Sequence, residues 1–212
     1  MRFLALTLIS IGVGATPAGD LGTGARDLLK DGLDAWQSTS GKAPKGWTLE
    51  DGALSLGKGG GYLWTKERFD DFVLDLEVNT TGNSGVFIRT DKMSDPVQTG
   101  IEIQVDNPSA KPGKHSFGAF YDLVAPTKCP AKKGEWTRLV ITARGPLLKV
   151  EMNGEAINEM NLDKWTEPGK NPDGTKNKYT TALKDFKREG HIGFQDHGAA
   201  VKYRNIKIRQ LR

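Results

Sequence analysis

The chain has 212 residues, 37% of them hydrophobic and 26 of them glycine, which suits one domain with a real core and many turns. Its formal charge is only +4, from 30 Lys and Arg against 26 Asp and Glu. So small and interleaved an excess excludes a dedicated nucleic-acid surface, which needs basic side chains mixed with stacking aromatics. The single cysteine, Cys129 in a Pro- and Lys-rich loop, excludes an intrachain disulfide and reads as an incidental thiol.

The first element is a secretory signal over residues 1–18, "MRFLALTLISIGVGATPA". Arg2 supplies the positive start, Phe3 to Val13 an uncharged apolar run, and small residues the cleavage site, near Ala15 or Ala18. The run is too short to span a bilayer as a helix. These features predict a secreted or periplasmic protein with no membrane association once the signal is removed. The remainder, 19–212, reads as one domain.

Residues 19–45 form a turn-rich or short helical entry. "GWTLEDGALSLG" then gives two short apolar stretches around Asp51-Gly52, a hairpin signal. "GYLWTKERF" is a further strand. In "DFVLDLEVN" the residues Phe72, Leu74, Leu76 and Val78 share one face. "SGVFIRT" sets Val86 and Ile88 against Phe87 and Arg89. "GIEIQVDN" sets Ile101, Ile103 and Val105 against Glu102, Gln104 and Asp106. "GAFYDLV" alternates Ala119, Tyr121 and Leu123. "EWTRLVITARGPLLKVEMNGEAINEM" reads as three strands with turns at Gly145-Pro146 and Asn153-Gly154.

Residues 161–189 break the rhythm with a long polar insertion, and its lysines, Lys178 among them, read as a solvated loop. In "AVKYRNIKIRQL" the apolar parity slips near Arg204-Asn205, where a bulge is expected. Roughly ten or more short strands with no helical domain predict an all-β, two-sheet antiparallel sandwich.

Several strands carry polar residues opposite their core face: Arg89; Glu102, Gln104 and Asp106; and His191, Gln195 and His197. Carboxylates, amides and guanidinium groups pair with vicinal hydroxyls, and a ring such as Tyr121 or Phe87 covers an apolar sugar face. A carbohydrate ligand is one reading, and an ordinary solvated sheet face is the other.

The stretches "NSGVFIRT", "GIEIQVDN", "GEWTRLVITARG" and "GHIGFQDHGAAVKYRNIKI" are, as an ordered set, fairly specific. With neighbouring matches they cover nearly all of residues 28–209, and the chain resembles the 3-keto-disaccharide hydrolase domain family. The resemblance implies a concanavalin A-like jelly-roll sandwich and an exported bacterial hydrolase or lyase that cleaves 3-keto-glycosides or 3-keto-disaccharides. A non-catalytic carbohydrate-binding module on a lectin-like sandwich is the alternative, since fold does not fix function.

Double displacement wants two carboxyl groups about 5–5.5 Å apart. Glu102 and Asp106 lie four residues apart, roughly 13 Å along an extended strand. A 3-keto sugar offers another route. A base removes the hydrogen on C2, beside the ketone, and the enolate expels the group on C1. Glu102 or His197 is the expected base and Arg89 the electrophile; Arg89 paired with Glu102 for structure is the competing reading. Gln104, Asp106, Tyr121, Gln195 and Arg204 are expected to bind substrate, with Trp165 as a mobile stacking ring or a loop anchor. Arg204 paired with Asp196 is its structural alternative. No cofactor is expected. Asp106, Asp122, His191 and His197 are chemically acceptable ligands for a divalent ion, but they lack close ligand spacing.

Overall fold

Hairpins form where the sequence supplies residues that accept a left-handed backbone. Asp51 and Gly52 have φ 51° and 73°, and Asn153 and Gly154 have φ 51° and 83°, the paired positive angles of a type I′ turn. Gly145, at φ 51°, opens the two-residue link before Pro146. All three expected turns therefore close hairpins.

The structure is a computed structural model that describes residues 21–211. The proposed signal, 1–18, lies outside the described residues. The strands are β1 (Arg26–Asp27), β2 (Trp36–Ser38), β3 (Trp47–Glu50), β4 (Ala53–Leu56), β5 (Leu63–Thr65), β6 (Phe72–Thr80), β7 (Ser84–Thr90), β8 (Ile101–Val105), β9 (Thr137–Arg144), β10 (Leu147–Met152), β11 (Glu155–Asn161), β12 (His191–Phe194) and β13 (Val201–Gln210). One short helix, α1 (Pro96–Thr99), precedes β8. An eight-stranded sheet runs β11-β10-β9-β6-β13-β4-β3, with β1 on the end of β13, and a five-stranded sheet runs β2-β5-β12-β7-β8. Every strand pairing is antiparallel.

The two sheets bury their facing rows against each other. Leu74 and Leu76 of β6, Ile141 of β9 and Ile208 of β13 meet Val86 and Ile88 of β7, Ile103 of β8 and Phe194 of β12 in one cluster. An aromatic stack bridges the layers: Trp36 lies 5.3 Å from Phe194, and Phe194 lies 4.1 Å from Tyr203. The Tyr203 hydroxyl meets Ser84 Oγ at 2.9 Å, and Ser84 Oγ donates to the Gln195 carbonyl at 2.8 Å.

The expected parity slip in β13 is a bulge between Arg204 and Lys207, with Asn205 at φ 52°. It lets Val201, Tyr203, Ile206 and Ile208 all face inward. "GAFYDLV" is not a regular strand. Gly118 at φ 83° and Asp122 at φ 66° bend it twice, leaving Phe120 bridged to Ile103 and Val124. Residues 161–189 are packed onto the sandwich. Leu162, Trp165, Tyr179 and Leu183 join the core, and 3₁₀ turns at Leu162–Lys164 and Leu183–Asp185 hold the ends.

Candidate functional site on the small sheet

The outward row of β8 does not face open water. Ile101, Ile103 and Val105 enter the core as expected, yet Glu102 and Gln104 on the opposite face are also buried, at 4% and 1% exposure. Glu102 pairs across to Phe87 and Gln104 to Gly85. A β-carbon at Gly85 would stand 2.6 Å from Glu102 Oε1, so the glycine leaves room for the carboxylate. Gly193 of β12 does the same for Trp64, whose ring lies 2.2 Å from where a β-carbon would sit.

Beside the carboxylate, the rings of Tyr62, Trp64 and Phe87 form a triangle with centroid separations of 5.7–5.8 Å. Just after β12, Gln195 Nε2 donates to Glu102 Oε1 and to the Tyr62 hydroxyl, both at 3.2 Å. Gln104 Nε2 donates to Asn83 Oδ1 at 3.1 Å. The carbonyl oxygens of both amides, Gln104 Oε1 and Gln195 Oε1, are buried without a partner. Two unsatisfied acceptors flanking one buried acid are costly in an empty fold and are free to accept from a donor outside the chain.

The fourth wall comes from the insertion. Lys178 Nζ stands 3.8 Å from Glu102 Oε2 and 3.9 Å above the Tyr121 ring. Its main chain is clamped on both sides: the N–H donates to Asp122 Oδ2 at 2.9 Å, and the carbonyl accepts from Gln98 Nε2 at 2.9 Å. His115 also touches this group, its ring tilted 35° and 4.6 Å from Tyr121 and its Nε2 3.2 Å from Asp122 Oδ1.

Burial pushes the Glu102 carboxyl above its ordinary value, while Lys178, the Gln195 hydrogen bond, His197 and His115 pull it partly back. Burial likewise lowers the Lys178 ammonium, against the pull of Glu102 and Asp122. The phenols of Tyr62 and Tyr121 are raised, chiefly by burial and further by the Glu102 charge. The pair is thus pushed from both sides toward its uncharged forms, the condition under which a carboxylate is a strong base and a lysine a good nucleophile.

The expected residues divide. Glu102, Gln104, Gln195 and Tyr121 converge. His197 is exposed on the turn after Gln195. Asp106 is half-buried beyond the strand end, where its Oδ1 accepts from the Asn107 N–H at 2.7 Å.

Arg89 does not join them. Its φ of 50° breaks the alternation at the irregular pairing of β7 with β12, and the guanidinium turns away. It donates to the Asp70 carbonyl, the Gly145 carbonyl and Asp71 Oδ1 at 2.6–2.8 Å. Arg204 lies on the large sheet, paired with Glu77 at 2.9 Å and stacked 4.1 Å over Trp136, so neither the sugar role nor the Asp196 pairing holds. Trp165 is the loop anchor rather than a mobile ring. It is 6% exposed and its Nε1 donates to Asn171 Oδ1 at 2.8 Å.

Sequence reasoning passed over Lys178, which is half-buried in the site rather than solvated. The hydrophobic pair Tyr62 and Trp64, alternating with Leu63, was the available signal for the aromatic wall. Among the described residues no three His, Cys, Asp or Glu side chains gather as a metal-ion site. His191 Nδ1 lies 2.8 Å from the Thr65 carbonyl, and both Asp122 oxygens are engaged. A cavity of about 830 Å³ at the end of the large sheet is lined by Arg26, Asp70, Arg144 and Arg209. It brings together no aromatic wall and no amide-bound acid, so size alone does not mark the site.

The 3-keto-alpha-glucoside-1,2-lyase-like domain model matches residues 24–209. The chain is 28% identical over 208 residues to a 3-keto-disaccharide hydrolase of Bacteroides thetaiotaomicron, across 80% of this chain and 72% of that one. A crystal structure of a candidate glycosyl hydrolase from Parabacteroides distasonis superposes with a TM-score of 0.78 at 29% identity, covering 88% of this chain and 99% of the other. A second from the same organism gives 0.68 at 26% identity, covering 89% and 84%.

Proposed function

The chain belongs to the 3-keto-alpha-glucoside-1,2-lyase-like domain family, and from that premise we propose that it cleaves 3-keto-glycosides, including 3-keto-disaccharides, by deprotonation next to the ketone. The observation that carries the reading is Glu102: a buried acid held by Gln195, faced by Lys178 and flanked by two unpaired amide oxygens.

Glu102 takes the proton from C2. Its burial favours the protonated product of that step and so strengthens the carboxylate as a base. The electrons move onto the ketone oxygen, where Lys178 supplies the positive charge first expected of Arg89. The enolate then expels the oxygen on C1, and addition of water to the unsaturated product completes a net hydrolysis. Gln104 Oε1 and Gln195 Oε1 accept from sugar hydroxyls, and Tyr121 and Tyr62 cover the ring.

Elimination needs one carboxylate, and that matches the surroundings. Asp122 and Asp196 also reach these tyrosines electrostatically, but each has both oxygens already engaged. Asp122 holds His115 and the Lys178 N–H, and Asp196 holds the Gly61 and Gly198 N–H groups. Cleavage takes place outside the cytoplasm, after export directed by residues 1–18.

The test is Glu102→Gln with a 3-keto-glucoside. Turnover is expected to fall by about 10²–10⁴-fold, the usual worth of a general base, while calorimetry still detects binding. Loss of affinity with no turnover in the parent protein supports a binding module instead. Equal cleavage of unoxidised disaccharides overturns the keto-dependent route.

A further inference from the structure

The family reading leaves open how the ketone is activated, and the placement of Lys178 bears on this. Its Nζ pairs with Glu102 Oε2 across 3.8 Å and stands 3.9 Å over the Tyr121 ring. An amine needed only for charge is commonly a mobile surface group. This one is half-buried on a segment whose backbone is pinned at the same residue by Asp122 and Gln98. The next residue, Tyr179, is fully buried, and Thr180 is tied to Gln98 Oε1 through both its N–H and its hydroxyl. The chain thus holds a half-buried amine against a buried carboxylate, beside the substrate's ketone as the proposed function seats it. Desolvated lysines next to a proton acceptor are suited to carbonyl condensation.

We propose that Lys178 is a covalent catalyst that forms an iminium with C3 of the 3-keto sugar. This rests on the keto-sugar reading given above. Glu102 first takes a proton from the Lys178 ammonium. The neutral amine adds to C3, and the ketone oxygen departs as water with the proton returned by Glu102, leaving a C3=N⁺H–Lys178 bond. Glu102 then removes the C2 hydrogen. The C–H electron pair becomes the C2=C3 bond of an enamine, and the C=N pair moves to nitrogen. The nitrogen pair returns, C1=C2 forms, and the C1–O bond breaks, its oxygen taking the proton from Glu102. Water hydrolyses the conjugated iminium, restoring the ketone and the Lys178 ammonium. The water lost on condensation equals the water used on release, and no external oxidant or reductant takes part. An iminium acidifies the C2 hydrogen more than a ketone does, which lightens the task of a single carboxylate.

The experiment mixes the protein with a 3-keto-glucoside and sodium cyanoborohydride, then maps the digested chain by mass spectrometry. A reduced sugar adduct on the peptide carrying Lys178 is expected, together with progressive loss of turnover and no adduct from the unoxidised glucoside. Lys178→Arg keeps the positive charge but cannot condense, so it is expected to lose at least about 10²-fold in kcat, the scale of losing one catalytic group. Circular dichroism of that variant, with retained binding of the unoxidised sugar, reports that it folds. Turnover without an adduct, or with Lys178→Arg nearly as active as the parent, overturns the covalent role and leaves the deprotonation reading standing. No turnover of any 3-keto-glucoside by the parent overturns both.

Discussion

Glu102 lies where stability and chemistry oppose each other. Its folded-state pKa is raised by burial, so the folded chain holds this proton more tightly than the unfolded chain does. The stabilisation is full below the unfolded value, about 4.3, and is lost as pH rises through the folded value. At pH 8 the ionised acid is therefore a burden, and Glu102→Gln is expected to melt at a higher temperature than the parent. The gap should close as pH is lowered to about 4. Melting curves at the two pH values check this, and the rate profile should show an acid limb above the usual range for a glutamate. Gly193 makes a second demand at this scale. Gly193→Ala drives a methyl into the Trp64 ring, at a cost of about 1–3 kcal/mol by denaturant titration, typical of overpacking, with reduced turnover as the Tyr62–Trp64–Phe87 wall shifts.

Among the elements, β6, β8 and β13 were legible because alternation and turn chemistry act locally. Phe72 to Val78 and Ile101 to Val105 needed only a period of two, and Asn153-Gly154 only a tolerance for positive φ. The β13 bulge was legible as a change of parity. Arg89 was not, because one left-handed residue reverses the face on which the side chain emerges, and nothing in "SGVFIRT" marks that reversal. Lys178 was not legible either, since its place depends on Asp122 and Gln98, 56 and 80 residues away in sequence. Arg89 now has a structural task that can be measured. Arg89→Met should lower stability by roughly 1–3 kcal/mol, as buried hydrogen-bonding groups lose their partner, yet leave kcat per folded molecule unchanged. A collapse of kcat in folded protein would return Arg89 to the reaction.

At the scale of the whole molecule, the two sheets use their outer faces differently. The large sheet carries ion pairs such as Arg138–Asp75 and Arg204–Glu77, with the Arg204 side chain still partly in solvent, the ordinary dress of an antiparallel sheet. The small sheet carries an aromatic triangle, a buried acid and two amides, roofed at one side by the 161–189 segment. The sandwich itself was foreseeable from strand count and turns. The inequality of its faces was not, because polarity written along a strand does not say whether a later segment folds back over it.

The Tyr203–Ser84–Gln195 relay gives that arrangement a mechanical side. A phenol rooted in the opposite layer sets the height of the backbone from which the Gln195 amide reaches Glu102, so the spacing between layers acts as a gauge for the buried acid. Efforts to thermostabilise this scaffold by refilling its interior around Phe194 and Tyr203 would therefore shift the Gln195–Glu102 contact from behind.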